Sequence, residues 1–321
     1  MGYTAYQVLM KSLNPYKFRT RTLLLKNLRR DRWLYIFLII PIAYYIVFKY
    51  VPMYGAVIAF KDYKIGLGIF GSRWVGLEQF SRLVKSPDFY RIIKNTLLLN
   101  IYALIFGFPV PIILAILLNE VRSKLYKRIN QSILYLPHFI SWVVLAGIFI
   151  QILSPSTGII NMILRFFGIK PIYFLASNFW WPIMFVISGI WQGAGWGSII
   201  YLAAVSGIDP ELFEAARIDG ANKFRQIWHI TLPGIKATIA IMLILRMGSM
   251  MDIGFEHIFN LQNAAVYDVS DVISTFVFRT GIRGGQYSYT TAIGLFQSVI
   301  SLVLVFSANK VTRMLGENSL W

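Results

Sequence analysis

The stretch Glu214-Ala215-Ala216-Arg217-Ile218-Asp219-Gly220 is followed, after nine residues, by Ile230-Thr231-Leu232-Pro233. Both pieces belong to a polar segment that lies between two long apolar stretches. The chain contains no Gly-Lys pair, so it lacks the phosphate-binding loop of an ATPase. A structured polar segment in an apolar chain that lacks a phosphate-binding loop predicts a membrane-embedded protein that is driven by a separate motor.

The composition of the 321 residues is that of a membrane protein. Hydrophobic residues make up 57% and charged residues 14% of the chain, whereas soluble domains contain about 25% charged residues. The absence of cysteine excludes disulfides, thiolate catalysis and cysteine-based metal sites. The net charge of +17 is typical of basic loops held against anionic lipid and on the cytoplasmic side, so we expect no nucleic-acid partner.

Six apolar stretches are long enough to cross a bilayer core, which takes roughly 20 helical residues. An even number of spans places both termini on one face of the membrane. The sequence therefore predicts an all-α polytopic protein with a basic arm at 1–32 and a transmembrane domain at 33–321. The six stretches are approximately 33–53, 95–119, 130–153, 179–205, 236–251 and 289–308.

The basic residues orient these spans. Lys and Arg number 18 on the side of the termini and 12 on the opposite side. Because short basic loops dominate orientation, the arm and the loop at 122–128 predict cytoplasmic termini. The first outer loop is also basic and goes against this trend. The arm is either an amphipathic cytoplasmic segment or a solvated tail, since no cleavage site of a signal peptide follows it.

The polar loop is predicted to form two short helices. Asp209 suits the N-cap, and Pro210 suits the first helical position, where its missing N–H costs nothing. Gly220 suits the end of this helix because it tolerates the left-handed conformation. A second helix is predicted over 222–229, and Leu232-Pro233 is expected to break the chain before the fifth span.

The first of these helices has the features of a docking element. The small residues Ala215 and Ala216 permit a partner to approach the backbone closely, and larger apolar side chains beside them can fill a groove. An amphipathic helix lying on the lipid surface would show a similar pattern. The residues that we expect to couple the chain to its motor are Asp209, Leu212, Phe213, Glu214, Ala215, Ala216, Asp219 and Gly220.

The loop resembles the cytoplasmic-loop signature of bacterial ATP-binding-cassette (ABC) importer permeases. All seven specified positions, Glu-Ala-Ala, Gly, Ile and Leu-Pro, match at the family spacing. The segment 74–80, followed by Asn95-Thr96-Leu97, is similar to carbohydrate-uptake permeases of the maltose-transporter type. The segments 155–160 and 267–279 are similar to the subgroup that imports oligosaccharides released from complex polysaccharides.

This resemblance implies the type I ABC importer fold and a multi-pass subunit of the bacterial cytoplasmic membrane. The loop at 206–233 would carry the coupling helix, seated in a cleft of an ATP-hydrolysing subunit. ATP and Mg²⁺ would be bound by that partner, so this chain would hold no cofactor and would not be an enzyme. The implied partners are a second, homologous permease, two ATP-binding subunits, an extracytoplasmic solute-binding protein, an oligosaccharide and membrane lipid.

The fourth and fifth spans contain candidates for the substrate pathway. Gly189, Gly193 and Gly197 recur on one helix face, where they serve either close helix packing or a smooth pathway wall. Arg246 is the one charge well inside a span, and it pairs with another helix, a partner subunit or an anionic substrate. By offset from the signature, the sugar-contacting positions of the maltose-type family correspond to Gln192, Gly193, Trp196, Arg246 and Met250.

Arg246 and the basic first outer loop together predict an acidic cargo, such as a pectin or rhamnogalacturonan fragment. The loop alone is also consistent with a solvated face or with a docking patch for an acidic binding protein.

Two rival functions stay possible at this point. An ATP-independent secondary sugar transporter would normally show an inverted repeat, which the sequence lacks. An integral-membrane enzyme acting on lipid-linked sugars would have to use the acidic residues Asp252, Glu256, Asp268 and Asp271.

Overall fold

The computed structural model of the protein describes residues 30–314. Within this range the chain is helical apart from one two-stranded hairpin. The described residues divide into two compact units, 30–57 and 58–314. The predicted basic arm lies almost entirely outside the described residues.

The first unit is described from residue 30 and is a run of helix. Helix α1 (Arg32–Tyr45) continues into a π-helical segment (Ile46–Tyr50), a helical turn (Val51–Met53) and a 3₁₀ segment (Tyr54–Phe60) whose last residues belong to the second unit. The run from 32 to 60 is long and apolar enough to cross a membrane.

The second unit contains the remaining helices and the hairpin. Its strands are β1 (Lys61–Asp62) and β2 (Arg73–Trp74), which pair antiparallel. Its numbered helices are α2 (Glu78–Lys85), α3 (Pro87–Tyr102), α4 (Pro109–Glu120), α5 (Lys124–Tyr135), α6 (Trp142–Ile152), α7 (Ile159–Phe166), α8 (Trp180–Ser206), α9 (Pro210–Ile218), α10 (Lys223–Gln226), α11 (Lys236–Gly248), α12 (Phe255–Leu261) and α13 (Tyr287–Met314).

Short segments connect these helices. The helical turns are Gly68–Gly71, Leu232–Gly234, Tyr267–Ser270 and Ile273–Phe276. The π-helical segments are Ala103–Gly107, Ile227–Thr231 and Val277–Arg283. The 3₁₀ segments are Ile65–Leu67, Leu136–Phe139, Phe174–Ala176 and Ala264–Val266.

The part of the chain that the structure describes contains four to six candidate membrane spans. Four runs are long and apolar enough by themselves, namely 32–60, 87–120, 180–206 and 287–307. Two bent pairs also qualify if each pair is one span: α5 with α6, and the helical run 223–234 with α11. Each of the six predicted stretches overlaps one of these runs or pairs.

The third span is not the continuous helix that we predicted over 130–153. Helix α5 ends at Tyr135, a 3₁₀ turn follows, and α6 starts at Trp142 with its axis turned by 100°. The turn contains Pro137, which lacks an N–H and whose ring clashes with the preceding helical turn. The proline therefore accounts for the change of direction.

The break before the fifth span lies later than we predicted. Helical structure continues from α10 through Leu232 and Pro233 to Gly234, and the axis then turns by 61°. Pro233 lies at the start of its helical turn, a position where its missing N–H costs little. The direction changes at Ile235, whose backbone is not helical (φ −103°, ψ 7°).

Buried side chains hold the second unit together in three clusters. In lipid the surroundings are as apolar as leucine, so close packing rather than the hydrophobic effect favours such helix contacts. One cluster joins the outer loop and the second span to α13, and another joins α6 and α8 to α12. The third packs α4 against the end of α8 through Ile112, Ala115, Ile116, Leu118, Tyr201, Leu202 and Val205.

Candidate functional site

A cavity of about 400 Å³ lies among spans two to five and helix α12. Three of the predicted pathway residues line it: Gln192, Gly193 and Arg246. Trp196 and Met250 do not line it. Trp196 instead stacks on His138 at 4.8 Å between ring centroids, and Met250 is buried.

The glycine stripe of span four, Gly189, Gly193 and Gly197, serves both close helix packing and an open cavity wall. A Cβ on Gly189 would contact His257, and one on Gly197 would touch Pro111, so these two glycines permit close packing. A Cβ on Gly193 would meet nothing within 4 Å. Gly193 thus faces the open cavity, while its neighbours along the stripe pack against other elements.

Arg246 supplies a positive charge to the cavity wall. Its side chain is half-buried, and no ion pair to it occurs within residues 30–314. A charged group inside a span is costly unless it faces water or a partner, so its position on a cavity is the expected one. Asp252 lines the same cavity, which places one anionic group in this wall as well.

An aromatic stack on the cavity wall was not predicted from the sequence. His257 lies between Trp142, at 3.5 Å between ring centroids, and Phe185, at 4.3 Å. Its Nε2 lies 2.9 Å from Oγ of Ser188, and this hydroxyl lies 3.0 Å from the carbonyl oxygen of Phe185, to which it donates. The stack joins α6, α8 and α12, which are far apart in sequence.

The buried His257 is uncharged in the folded protein. It lies on α12, outside the membrane spans. Burial lowers the pKa of His257 to about 3 because desolvation disfavours the charged ring. With the Ser188 hydroxyl donating to Phe185, the neutral ring donates its Nε2–H to Ser188.

The predicted coupling helix forms with the end signals expected from its sequence. The Asp209 side chain accepts a hydrogen bond from Glu211 N at 3.0 Å. At the other end Gly220 has φ +75°, Ala221 N donates to Ala216 O at 2.8 Å, and Gly220 N donates to Arg217 O. This is the Schellman pattern, which fixes α9 as a short rigid element.

The coupling helix presents most of its side chains to the outside of the chain. No residue of α9 is buried. Leu212, Glu214, Ala215, Asp219 and Gly220 are exposed, whereas Phe213 and Ala216 are half-buried. The surface of this helix is therefore available to another protein.

Two further exposed side chains beside the coupling helix were not predicted from the sequence as part of the docking surface. Phe224 and Trp228 follow α9 and are strongly exposed. Next to them Lys223 Nζ lies 2.5 Å from Glu120 Oε2 at the end of α4. This ion pair connects the loop to the second span.

Of the acidic residues considered for an enzyme, Asp271 is committed to a buried ion pair. Asp271 is fully buried, and its two carboxylate oxygens accept hydrogen bonds from Arg279 at 2.6 and 3.1 Å. The side-chain hydrogen bonds that Arg279 donates to Asp271 raise the pKa of Arg279. Among the described residues, no group of three or more His, Asp or Glu side chains is arranged to hold a metal ion.

The basic loop that we predict to be the first outer loop is folded onto the start of α13. Tyr63 N donates to Ser288 Oγ at 2.9 Å, and Arg82 donates to Gln286 Oε1 at 2.8 Å. One of its six cations is committed elsewhere, since Arg91 pairs with Asp88 at 2.7 Å. The others, Lys61, Lys64, Arg73, Arg82 and Lys85, make no ion pair with the described part of the chain.

Comparison with known proteins identifies the family. A family model described as "Binding-protein-dependent transport system inner membrane component" matches residues 107–317. The chain belongs to this family. It is thus a permease subunit of an ABC transporter, a multi-pass membrane protein and not itself an enzyme, and the resemblance drawn from the loop signature is confirmed.

Relatives of this inner membrane component match over nearly the whole chain. It is 44% identical, over 95% of each chain, to the polygalacturonan/rhamnogalacturonan transport system permease protein YteP of Bacillus subtilis (strain 168). It is 43% identical to a chain of a bacterial ABC transporter involved in the import of the acidic polysaccharide alginate, with a TM-score of 0.84 over 91% of this chain and 98% of that one. The alginate transporter has also been crystallised in complex with an alginate pentasaccharide-bound periplasmic protein, where the corresponding values are 42%, 0.84, 92% and 99%.

Proposed function

We propose that this permease forms half of the pathway by which an acidic oligosaccharide is imported across the bacterial cytoplasmic membrane. The observation that carries the proposal is the intramembrane cavity with Arg246 in its wall and no carboxylate paired to it within residues 30–314. A fixed cation in a low-dielectric site attracts a uronate carboxylate more strongly than it would in water. Polygalacturonan, rhamnogalacturonan and alginate, in the names of similar proteins, agree with such a cargo.

The proposed assembly contains a second, homologous permease, two ATP-binding subunits and an extracytoplasmic solute-binding protein. ATP and Mg²⁺ are bound by the ATP-binding subunits, because this chain has no phosphate-binding loop. All six apolar segments cross the membrane in this proposal, and both termini are cytoplasmic. The exposed face of α9 is seated in a cleft of one ATP-binding subunit.

Closure of the ATP-binding subunits would move α9. The loop is continuous with α8 on one side and, through the 223–234 run, with α11 on the other, and these two helices contribute Gln192, Gly193 and Arg246 to the cavity. A displacement of the loop therefore reaches the cavity wall through two connected helices. A loaded binding protein docked outside biases the same equilibrium, since an effector shifts only states that it binds differently.

The cargo proposal predicts that Arg246→Ala selectively impairs import of acidic oligosaccharides. We expect uptake of an oligogalacturonate to fall about tenfold, which corresponds to losing roughly 1.4 kcal/mol of attraction, while uptake of a neutral oligosaccharide of equal length changes little. Arg246→Lys should keep most of the acidic uptake. Radiolabelled uptake in membrane vesicles measures both, with Arg128→Ala on the exposed surface of α5 as the control. An equal loss of both cargoes in Arg246→Ala would contradict the electrostatic role.

The coupling proposal predicts that Glu214→Lys and Gly220→Asp uncouple the transporter. Glu214→Lys reverses a charge on the exposed docking face, and Gly220→Asp forces a side chain into a left-handed backbone (φ +75°). Both variants should insert normally but lose transport-stimulated ATP hydrolysis. The measurement is ATPase activity of the purified complex in liposomes, with Glu256→Lys on the exposed N-terminal turn of α12 as the control. Wild-type transport by both variants would refute the assignment.

A further inference from the structure

A groove of about 590 Å³ lies between the N-terminal halves of the second and fourth spans, beside the central cavity. Its floor is apolar and its two walls follow helical spacing. On one side Leu98, Tyr102 and Phe106 recur every fourth residue, and on the other side Phe179, Ile183 and Ile187 do the same. Side chains at this spacing form a continuous stripe along each helix.

The groove is a wedge that narrows toward the middle of the membrane. At its closed end a Cβ placed on Gly107 would lie 3.6 Å from Cγ1 of Ile190, so the two helices touch there. From Lys94 to Phe106 the groove follows twelve residues, which is about 18 Å of helix. One leaflet of a bilayer core is about 15 Å thick, so the groove extends through a single leaflet.

The open end of the groove is polar. Lys94, Asn178 and Asp268 form its rim and are exposed. Lys94 has no ion-pair partner in the described range, whereas Asp268 lies 4.0 Å from Arg91. The amide of the buried Asn95 donates to the carbonyl oxygens of Asp268 and Asp271 at 2.9 and 3.0 Å, which holds the rim in place.

These features fit one kind of occupant. We propose that the groove binds a phospholipid with an amine-bearing headgroup, such as phosphatidylethanolamine, whose acyl chain lies in the apolar wedge. The phosphate is placed to accept from Lys94 and Asn178, and the headgroup ammonium to donate to Asp268. A charged rim above an apolar channel one leaflet deep matches the two ends of such a lipid in both polarity and length.

A transmembrane helix of a partner subunit fits the groove poorly. A helix about 10 Å across fills roughly 1,400 Å³ over 18 Å of length, more than twice the volume of the groove. It would also have to continue past Gly107 and Ile190, where the wedge is closed. An extended acyl chain ends at this depth.

The bound lipid would stabilise the wall of the cargo cavity. Val186 and Ile190 line both the groove and the central cavity, so a filled groove supports the outer half of α8 from behind. The lipid proposal itself does not depend on the identity of the cargo, and its test uses no transport measurement.

The test is photolabelling of the purified transporter in phosphatidylglycerol liposomes that contain phosphatidylethanolamine with a diazirine in one acyl chain. We expect adducts to concentrate on peptides covering 94–106 and 179–190. Ile187→Trp, which fills the groove, and Lys94→Glu, which reverses the rim charge, should each lower labelling of these peptides about fivefold. Val144→Trp on the exposed face of α6 and Lys85→Glu on α2 are the matched controls and should leave it unchanged.

Three outcomes would overturn the proposal. Labelling spread evenly over all exposed apolar residues of the spans would show a general lipid belt only. Crosslinks from the groove peptides to another subunit would show that a protein fills the groove. Unchanged labelling in Lys94→Glu would remove the headgroup contact, and because Lys94 lies on the exposed rim, this variant remains decisive even where Ile187→Trp fails to fold.

Discussion

At the scale of single residues, the tightest contact among the glycines of span four lies at Gly195 and not at Gly189, Gly193 or Gly197, which the sequence places on one face. A Cβ on Gly195 would clash with the carbonyl oxygen of Leu134, whereas one on Gly193 would meet nothing within 4 Å. The sequence spacing shows which glycines share a face, but it does not show which face another backbone approaches. That depends on where α5 ends, and hence on the bend at Pro137.

This difference predicts opposite outcomes for two matched substitutions. Gly195→Ala forces the backbones of α5 and α8 apart and should cost at least about 1–3 kcal/mol, the usual range for overpacking. Gly193→Ala adds the same methyl group to open space and should leave stability unchanged. Thermal unfolding of the detergent-solubilised complex measures both. Equal melting temperatures for the two variants would contradict the packing at Leu134.

At the scale of elements, the start of the second span is joined to the loop between spans five and six by buried polar contacts. Thr96 Oγ accepts from Ile273 N at 3.1 Å, and the Asp271 carboxylate binds Arg279 and lies 3.8 Å from Arg91. The Thr96–Ile273 contact joins residues 177 apart in sequence, and the approach of Arg91 to Asp271 is similarly long-range, so no local sequence pattern predicts either. By contrast, the ends of α9 were predictable because Asp209 and Gly220 act on their own helix.

The network at Asp271 predicts a large loss of stability when its carboxylate is removed. Breaking a buried ion pair costs about 3–5 kcal/mol, and the partial exposure of Arg279 (34%) places the expected loss for Asp271→Ala at the lower end. Asp268→Ala is the matched control, since that side chain is 75% exposed and such changes usually stay within about 0.5 kcal/mol. The melting temperature of the purified complex should fall only for Asp271→Ala, and a fall in both would contradict this account.

At the scale of the whole molecule, the apolar runs predicted where the spans lie, and the loop signature predicted the family. The composition of a 20-residue window suffices for the first, because the bilayer sets the length of a span. The cavity could be predicted only in part. Gln192, Gly193 and Arg246 could be located by their offset from the loop signature. Trp142 and His257 could not, because the bend in the third span and the position of α12 bring them together.

The proposed orientation predicts which exposed side chains react from outside the cell. Because the chain contains no cysteine, a single introduced cysteine can be labelled without background. Phe166→Cys on α7 should react with a membrane-impermeant maleimide in intact cells, and Leu125→Cys at the start of α5 only after permeabilisation; both positions are exposed. Reaction of both from the same side would exclude the proposed topology.

The contact between Gly107 and Ile190 gives the second and fourth spans a fulcrum. Toward Glu120, α4 and the end of α8 are held together by a dense set of buried side chains, while toward Lys94 the two helices diverge. A tilt of one span against the other about this point would move the ends that line the groove much further than the closely packed ends. A bulkier residue in place of Gly107 would shift this contact, and it would also alter the wall of the central cavity, which Gly107 and Ile190 both line.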